Sequence, residues 1–132
     1  MSTVFHKLNL KDPREILVLD APASFEPELD GLDGVRVIRR LEEANGIEFA
    51  LVFVMQRSAL ERLSKALVAR TAGDAVLWFA YPKGTSKRYA CDFNRDAGWD
   101  ALRKSGFDSV RQVAIDEDWS ALRFRRIEYI KR

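Results

Sequence analysis

Six consecutive residues of this chain gather the groups that hold an anion. Lys83-Gly84-Thr85-Ser86-Lys87-Arg88 carries three cations and two hydroxyls. Phosphate and carboxylate groups bind where such donors converge through charge-assisted hydrogen bonds. The stretch is not a P-loop, because Gly-x-x-x-x-Gly-Lys-Ser/Thr is missing and no helix pattern starts directly behind the glycine. The competing reading is a solvated turn, with Pro82 and Gly84 setting its geometry and the cations giving solubility. Asp20, which closes the first apolar run, is a second candidate. Its carboxylate is placed to accept from a ligand hydroxyl, to pair with Lys83, or simply to cap the turn before Pro22. Ser24 offers a hydroxyl to the same ligand, or an N-cap to a short helix.

The remaining chemistry is sparse. His6, the only histidine, precedes every expected strand, so nothing places it beside a nucleophile as a triad requires. Cys91 is the only cysteine and reads as a small buried hydrophobe. One histidine and one cysteine make a zinc site unexpected, and no His-x-x-Glu or Asp-x-Asp pattern gathers carboxylates for another metal. Catalytic residues and cofactor are left unassigned.

The chain has 132 residues, 47% hydrophobic and 32% charged, with a net charge of +2. That length suits one domain, here 1–132, able to bury its apolar surface without staples. A lone cysteine fits a reducing compartment. The first residues lack the apolar core of a signal peptide, and the run from Phe49 to Met55 is far short of the roughly 20 residues of a membrane span. The expected location is the cytoplasm. Charge is uneven: Asp12 to Glu48 holds ten acidic and four basic residues, and Arg123 to Arg132 holds five basic and one acidic. A basic terminus can serve nucleic acid. Its alternating apolar residues favour a strand with a solvated arginine face, so nucleic acid is not the expected partner.

These candidates need elements to position them. Glu15 to Asp20 reads as the first strand, ended by Pro22, and Ser24 to Leu29 as a helical turn. Val35 to Ile38 is the second strand, followed by Arg39 and Arg40. After the Asn45-Gly46 turn, Phe49 to Val54 is a third strand, apolar enough to be covered on both faces. Ser58-Ala59-Leu60-Glu61 has the form of a capping box. Leu60, Leu63 and Leu67 then give a buried helical stripe, with Arg62, Lys65 and Arg70 facing water and Gly73 closing the helix. Ala75 to Tyr81 is the fourth strand, delivering the cationic loop. A second helix is expected from about Asn94 to Lys104, burying Trp99 and Leu102. Val110 to Ile115 and Leu122 to Tyr129 form a closing hairpin around Asp116-Glu117-Asp118, with a bulge near Arg125-Arg126 to reconcile the face of Ile127 and Tyr129 with that of Leu122 and Phe124. Trp119 is expected half exposed, at an edge suited to packing on its own strand or to a homodimer through the hairpin.

Strand–helix alternation points to a mainly parallel α/β sheet with an antiparallel terminal strand and helices on both faces. The residues Glu48-Phe49-Ala50-Leu51-Val52, Gly73-Asp74-Ala75-Val76-Leu77-Trp78 and the Val110–Tyr129 hairpin resemble the second half of a class I S-adenosylmethionine-dependent methyltransferase. The resemblance implies a Rossmann-like open sheet of order 2-1-3-4-6-5, with its switch point between strands one and three. It also implies a glycine-rich loop after strand one and an acidic residue ending strand two. The chain departs on both, with Asp20-Ala21-Pro22-Ala23-Ser24-Phe25 in the loop and Arg39-Arg40 after the strand; Glu42 and Glu43 serve only if the boundary shifts. The combination of Leu19-Asp20-Ala21-Pro22, Ala80-Tyr81-Pro82-Lys83, Asp92-Phe93-Asn94-Arg95-Asp96 and Asp118-Trp119-Ser120-Ala121-Leu122-Arg123-Phe124 is similar to a family of small bacterial proteins, a domain of unknown function with a Rossmann-like core.

Ligands of open α/β sheets bind at the carboxyl ends of the strands. The expected site is therefore the crevice between strands one and three, for a small anionic or nucleotide-like ligand. Asp20, Ala21, Pro22 and Ser24 form one wall, and Lys83, Thr85, Ser86 and Lys87 approach from the fourth strand's loop. A divergent methyltransferase and a non-catalytic interaction module are the alternatives.

Overall fold

The computed structural model describes residues 3–8, 10, 15–93 and 98–130. Six strands alternate with short helices. The strands are β1 (Glu15–Leu19), β2 (Arg36–Ile38), β3 (Ile47–Phe53), β4 (Thr71–Pro82), β5 (Phe107–Ala114) and β6 (Trp119–Arg126). The helices are α1 (Thr3–Lys7), α2 (Glu26–Asp30), α3 (Arg57–Val68) and α4 (Asp100–Lys104). The strands form one sheet of order β2-β1-β3-β4-β6-β5, the order the resemblance implies. β2, β1, β3 and β4 run parallel; β6 lies antiparallel between β4 and β5.

The continuous apolar runs form the centre because both faces of the sheet carry a core. On β3, Phe49, Leu51 and Phe53 join one cluster with Trp78 of β4, Phe5 of α1 and Leu29 of α2. Ala50, Val52 and Val54 join the other, with Leu77 and Phe79 of β4, Leu60, Leu63 and Leu67 of α3, and Trp99 and Leu102. The α3 stripe is thus buried as its spacing predicts. Trp99 sits at the middle of its cluster, its ring 5.0 to 5.9 Å from those of Phe124, Phe93, Phe79 and Tyr81. Trp78, fully buried in the other cluster, donates its indole N–H to the Leu8 carbonyl at 2.7 Å, tying the segment after α1 to the sheet.

Several expected boundaries are corrected. Ser58-Ala59-Leu60-Glu61 is no capping box: α3 starts two residues earlier, with Gln56 and not Ser58 at the N-cap and no side-chain cap from its own sequence. The free Arg57 amide donates instead to the Asp92 carboxylate at 2.5 Å, a partner brought by the fold. Gly73 does not close α3, which ends at Val68. It takes φ +53 inside the irregular start of β4, where β4 advances from Thr71 to Val76 while β3 advances from Ile47 to Phe49. Only glycine adopts such a backbone freely. Arg70, expected in water, donates to the Ala44 carbonyl at 2.9 Å. The expected helix start at Asn94 lies outside the described residues; α4 begins at Asp100, and both Trp99 and Leu102 are buried as expected.

The terminal hairpin also differs. β6 ends at Arg126, and Ile127–Tyr129 turn away as a 3-10 helix, so the opposite parity of Ile127 and Tyr129 needs no bulge in β6. The irregularity lies on β5 instead, where Val110 is extra between the Ser109↔Phe124 and Arg111↔Arg123 pairs. Trp119 is 3% exposed rather than half exposed. The arginines of β6 are not simply a solvated face. Arg125 holds Asp74 with two bonds of 2.7 and 2.6 Å. Arg126 donates to the Gly73 carbonyl and Thr71 Oγ1, with its guanidinium 4.8 Å from the Phe107 ring. Together they pin the irregular start of β4. Among the described residues no helix is long and apolar enough to cross a membrane.

Two outcomes follow from these contacts. Trp78→Phe strands the buried Leu8 carbonyl and should cost about 1–3 kcal/mol in chemical denaturation. The Arg125 guanidinium holds the Asp74 carboxyl below its usual value. A carboxylate with a lowered folded pKa stabilises above its unfolded value and loses that contribution as pH falls through the folded one. Asp74→Asn should therefore flatten the acid limb of the melting profile below about pH 4, by less than about 1 kcal/mol because the pair is partly exposed.

Candidate functional site

The carboxyl edge of the sheet is built from the residues after β1, β2, β3 and β4. After β1 the chain turns at Asp20, which takes φ +56 and is the only non-glycine residue with positive φ among the described residues. Aspartate tolerates this region better than most residues but gains nothing from it. Its exposed carboxylate makes no hydrogen bond among the described residues, so neither the expected turn cap nor the pair with Lys83 is formed. Pro22 then opens a 3-10 turn over Ala23–Phe25 that runs directly into α2. Ser24 lies within that turn, exposed, and is not an N-cap; Pro22 holds the cap position without a side-chain bond. Ala21 and Pro22 are half-buried, and Ala21 packs on the core cluster that contains Phe25.

Phe25 explains why the loop closes so tightly. It is buried, with its ring 5.0 Å from that of Phe53 at the end of β3 and 5.8 Å from Phe5. Phe53 packs in turn on Trp119, and Trp119 on Tyr89, at ring distances of 5.1 and 5.0 Å. A line of aromatic rings therefore links the β1 loop, β3, β6 and the loop after β4. The Trp119 Nε1 is buried with no hydrogen-bond partner among the described residues.

After β2, Arg39 donates to both carboxylate oxygens of Glu26 at 2.9 and 2.8 Å. That hydrogen bonding lowers the pKa of Glu26 and raises that of Arg39. Glu42 and Glu43 lie beyond, in a 3-10 turn, with Glu42 accepting from Arg40 Nε at 3.1 Å. The boundary does not shift, and the residues directly after β2 are cations.

The loop after β4 folds back on itself and is held from both sides. The Lys83 amide donates to the Asp118 carbonyl at 2.8 Å, and the Ser86 hydroxyl donates to the Asp118 carboxylate at 2.9 Å. The same hydroxyl accepts from the amides of Arg88 and Tyr89 at 3.3 and 3.2 Å. At the far end Asp92 caps α3. Between these anchors lies a cavity of about 290 Å³ lined by Tyr81, Pro82, Lys83, Gly84, Ser86, Tyr89, Ala90, Cys91 and Phe93. Burial pushes the Cys91 thiol up, so it is a weak nucleophile. Thr85 and Lys87 are exposed on the rim side of the loop.

Of the expected residues, Lys83 and Ser86 line this cavity, and Asp20, Ala21, Pro22 and Ser24 do not. Ser86 is committed to the loop itself. Asp118, Tyr89 and Asp92 build the site without having been assigned to it. Their sequence signals are a polar turn and a short motif, neither of which says that the carboxylates meet this loop. A larger cavity, about 410 Å³, opens at the other edge, between the amino ends of β1 and β3.

A mainly parallel sheet with β6 inserted antiparallel beside β4, and cores on both faces, is a Rossmann-like α/β fold of the class I methyltransferase type. A SAM-dependent methyltransferase from Aquifex aeolicus superimposes with a TM-score of 0.65 at 13% identity, covering 93% of this chain and 87% of that one. A putative type 11 methyltransferase from Sulfolobus solfataricus gives 0.54 at 9% identity, covering 86% and 84%. The mitomycin 7-O-methyltransferase MmcR gives 0.65 at 11%, covering 93% and 52%. These identities establish the fold and carry no chemistry with them. No protein-family model matches the chain, and no curated protein does.

The backbone at Asp20 gives a direct test of the β1 turn. Asp20→Val should destabilise by about 1–3 kcal/mol, as a β-branched residue is forced to positive φ, whereas Asp20→Gly should change stability by less than about 1 kcal/mol. Ser86→Ala leaves a buried carboxylate short of a donor, and limited proteolysis should then cut faster between Lys83 and Arg88.

Proposed function

We propose that this chain binds a small anionic or nucleotide-like ligand at the carboxyl edge of β4. The observation that carries this reading is the 290 Å³ cavity walled by Lys83, whose ammonium has no acidic partner among the described residues. An unpaired cation beside a partly enclosed cavity, at the edge where such sheets take ligands, favours a negatively charged guest. The volume sits at the low end of small-molecule sites, which run about 300–1,000 Å³, and so suits a phosphate-bearing fragment. In this reading Lys87 and Thr85, both exposed, meet the outer part of such a ligand, and Asp20 and Ser24 meet a longer one reaching across the crevice. Ser86 acts by holding the loop through Asp118.

A divergent S-adenosylmethionine-dependent methyltransferase is the second reading, favoured by the methyltransferases that share this fold. Against it stand the ion-paired Arg39 where the family resemblance implies a free carboxylate, and a β1 loop without glycine. An interaction module is the third, supported by Ile127 and Tyr129, 45% and 41% exposed beyond β6. With Trp119 buried, a homodimer through the hairpin would use those residues instead. The lone cysteine accords with a cytoplasmic setting.

Thermal melting with S-adenosylmethionine, its demethylated product, nucleotides and inorganic phosphates separates the readings. A bound ligand at 100 times its dissociation constant stabilises by about 2.7 kcal/mol. Stabilisation by phosphate-bearing compounds, reduced in Lys83→Ala and to a lesser degree in Lys87→Ala, is the expected result. A response confined to S-adenosylmethionine and its product points to the methyltransferase. No ligand response, with a scattering mass that doubles on concentration and reverts in Tyr129→Ser, points to the interaction module.

A further inference from the structure

One cross-strand row runs through the sheet from Val18 to Leu51, Trp78, Arg123 and Arg111. Residues opposite one another on neighbouring strands share a face, so the row passes from three buried apolar side chains to two arginines. Val18, Leu51 and Trp78 are at most 1% exposed; Arg123 is half-buried and Arg111 exposed. Like charges directly opposite on adjacent strands repel. Among the described residues only the charge of Asp74, already bonded to Arg125, acts against this repulsion at Arg123. Arg125, two residues along β6 on the same face, is engaged with Asp74, while neither Arg111 nor Arg123 forms an ion pair among the described residues. The Arg123 Nε is buried without a hydrogen-bond partner. Burial, then the charges of Arg125 and Arg111, lowers the pKa of the Arg123 guanidinium, with Asp74 the opposing charge.

Two arginines at opposed positions of adjacent strands, one with a buried and unmet donor, suit a group that accepts from both. We propose that Arg111 and Arg123 form an oxyanion site of the phosphate class on this sheet face. Cβ atoms of opposed residues lie about 4.5–5.5 Å apart, so two forks converge on one tetrahedral anion. A phosphate presents enough oxygens to accept from both forks, and its charge cancels their repulsion. Val76 and Val113, half-buried in the same cluster, border the pair with apolar surface. The site is separate from the cavity after β4: Trp78, the neighbour of Arg123, precedes Pro82 by four residues, about 13 Å of strand.

The test is a set of melts in inorganic phosphate, AMP and chloride at matched ionic strength, on the wild-type chain, Arg111→Gln, Arg123→Met and Lys83→Ala. Phosphate at ten times its dissociation constant should raise the wild-type melting temperature by about 5 °C. Arg111→Gln and Arg123→Met should lose the larger part of that rise, and without phosphate should melt at or above the wild-type temperature, because each removes a repelled charge. Lys83→Ala should lose only the share of the rise owed to the site after β4 and keep the share that the arginine variants lose, which distinguishes the two sites. A larger shift with AMP than with phosphate identifies a nucleotide as the source, and equal shifts identify the phosphate group alone. The proposal is overturned if chloride gives the same shift, if both arginine variants retain the phosphate response, or if both melt well below wild type without it.

Discussion

Everything in this fold hangs on β4. From Leu77 to Tyr81 the strand is buried on both faces, and it is paired on both edges, parallel to β3 and antiparallel to β6. A strand so placed must satisfy every backbone group through its neighbours, because water reaches none of them. That requirement fixes the register of β3 on one side and of the hairpin on the other. It also fixes where the strand can stop. Pro82 pairs with Trp119 at the last rung, and the chain is released there into the Lys83–Arg88 loop. Position of the cationic loop is thus a consequence of sheet pairing, not of the loop's own composition.

The parts of the fold that were legible in the sequence are those set by local periodicity. The apolar runs of β1, β3 and β4 and the Leu60-Leu63-Leu67 stripe follow from patterns a few residues long, whereas the strand order came from the methyltransferase resemblance. The parts that were not legible depend on partners far along the chain. Ser58 and Glu61 have the right spacing for a capping box, but Asp92, 35 residues away, reaches the amide first. Gly73 looks like a helix stop, yet its left-handed backbone serves the irregular pairing of β4 with β3, which only the two strands together define. Trp119 follows an acidic turn and so looks exposed; the rings of Phe53 and Tyr89, from other elements, bury it. At the candidate site the cations were visible, but the two carboxylates that shape their loop, Asp118 and Asp92, were not.

The carboxyl edge keeps the layout of the methyltransferase fold while changing its chemistry. Where the resemblance implies glycine, Asp20 takes the left-handed backbone that glycine would otherwise supply. Where it implies an acid, Arg39 is neutralised by Glu26 from α2, so the charge is reversed and then withdrawn into an internal pair. Phe25 fills the space above β3. The open, donor-rich ground has moved along the sheet to the end of β4, where the loop encloses its own cavity.

The two outer strands show how this sheet stops. β2 is only three residues long, and β5 carries the Val110 bulge in mid-strand. A short rim on one side and a kinked rim on the other deny a further strand the straight ladder it would need to join. Among the described residues the sheet is thus bounded by its own irregular rims, one by length and the other by a kink, rather than by a covering element.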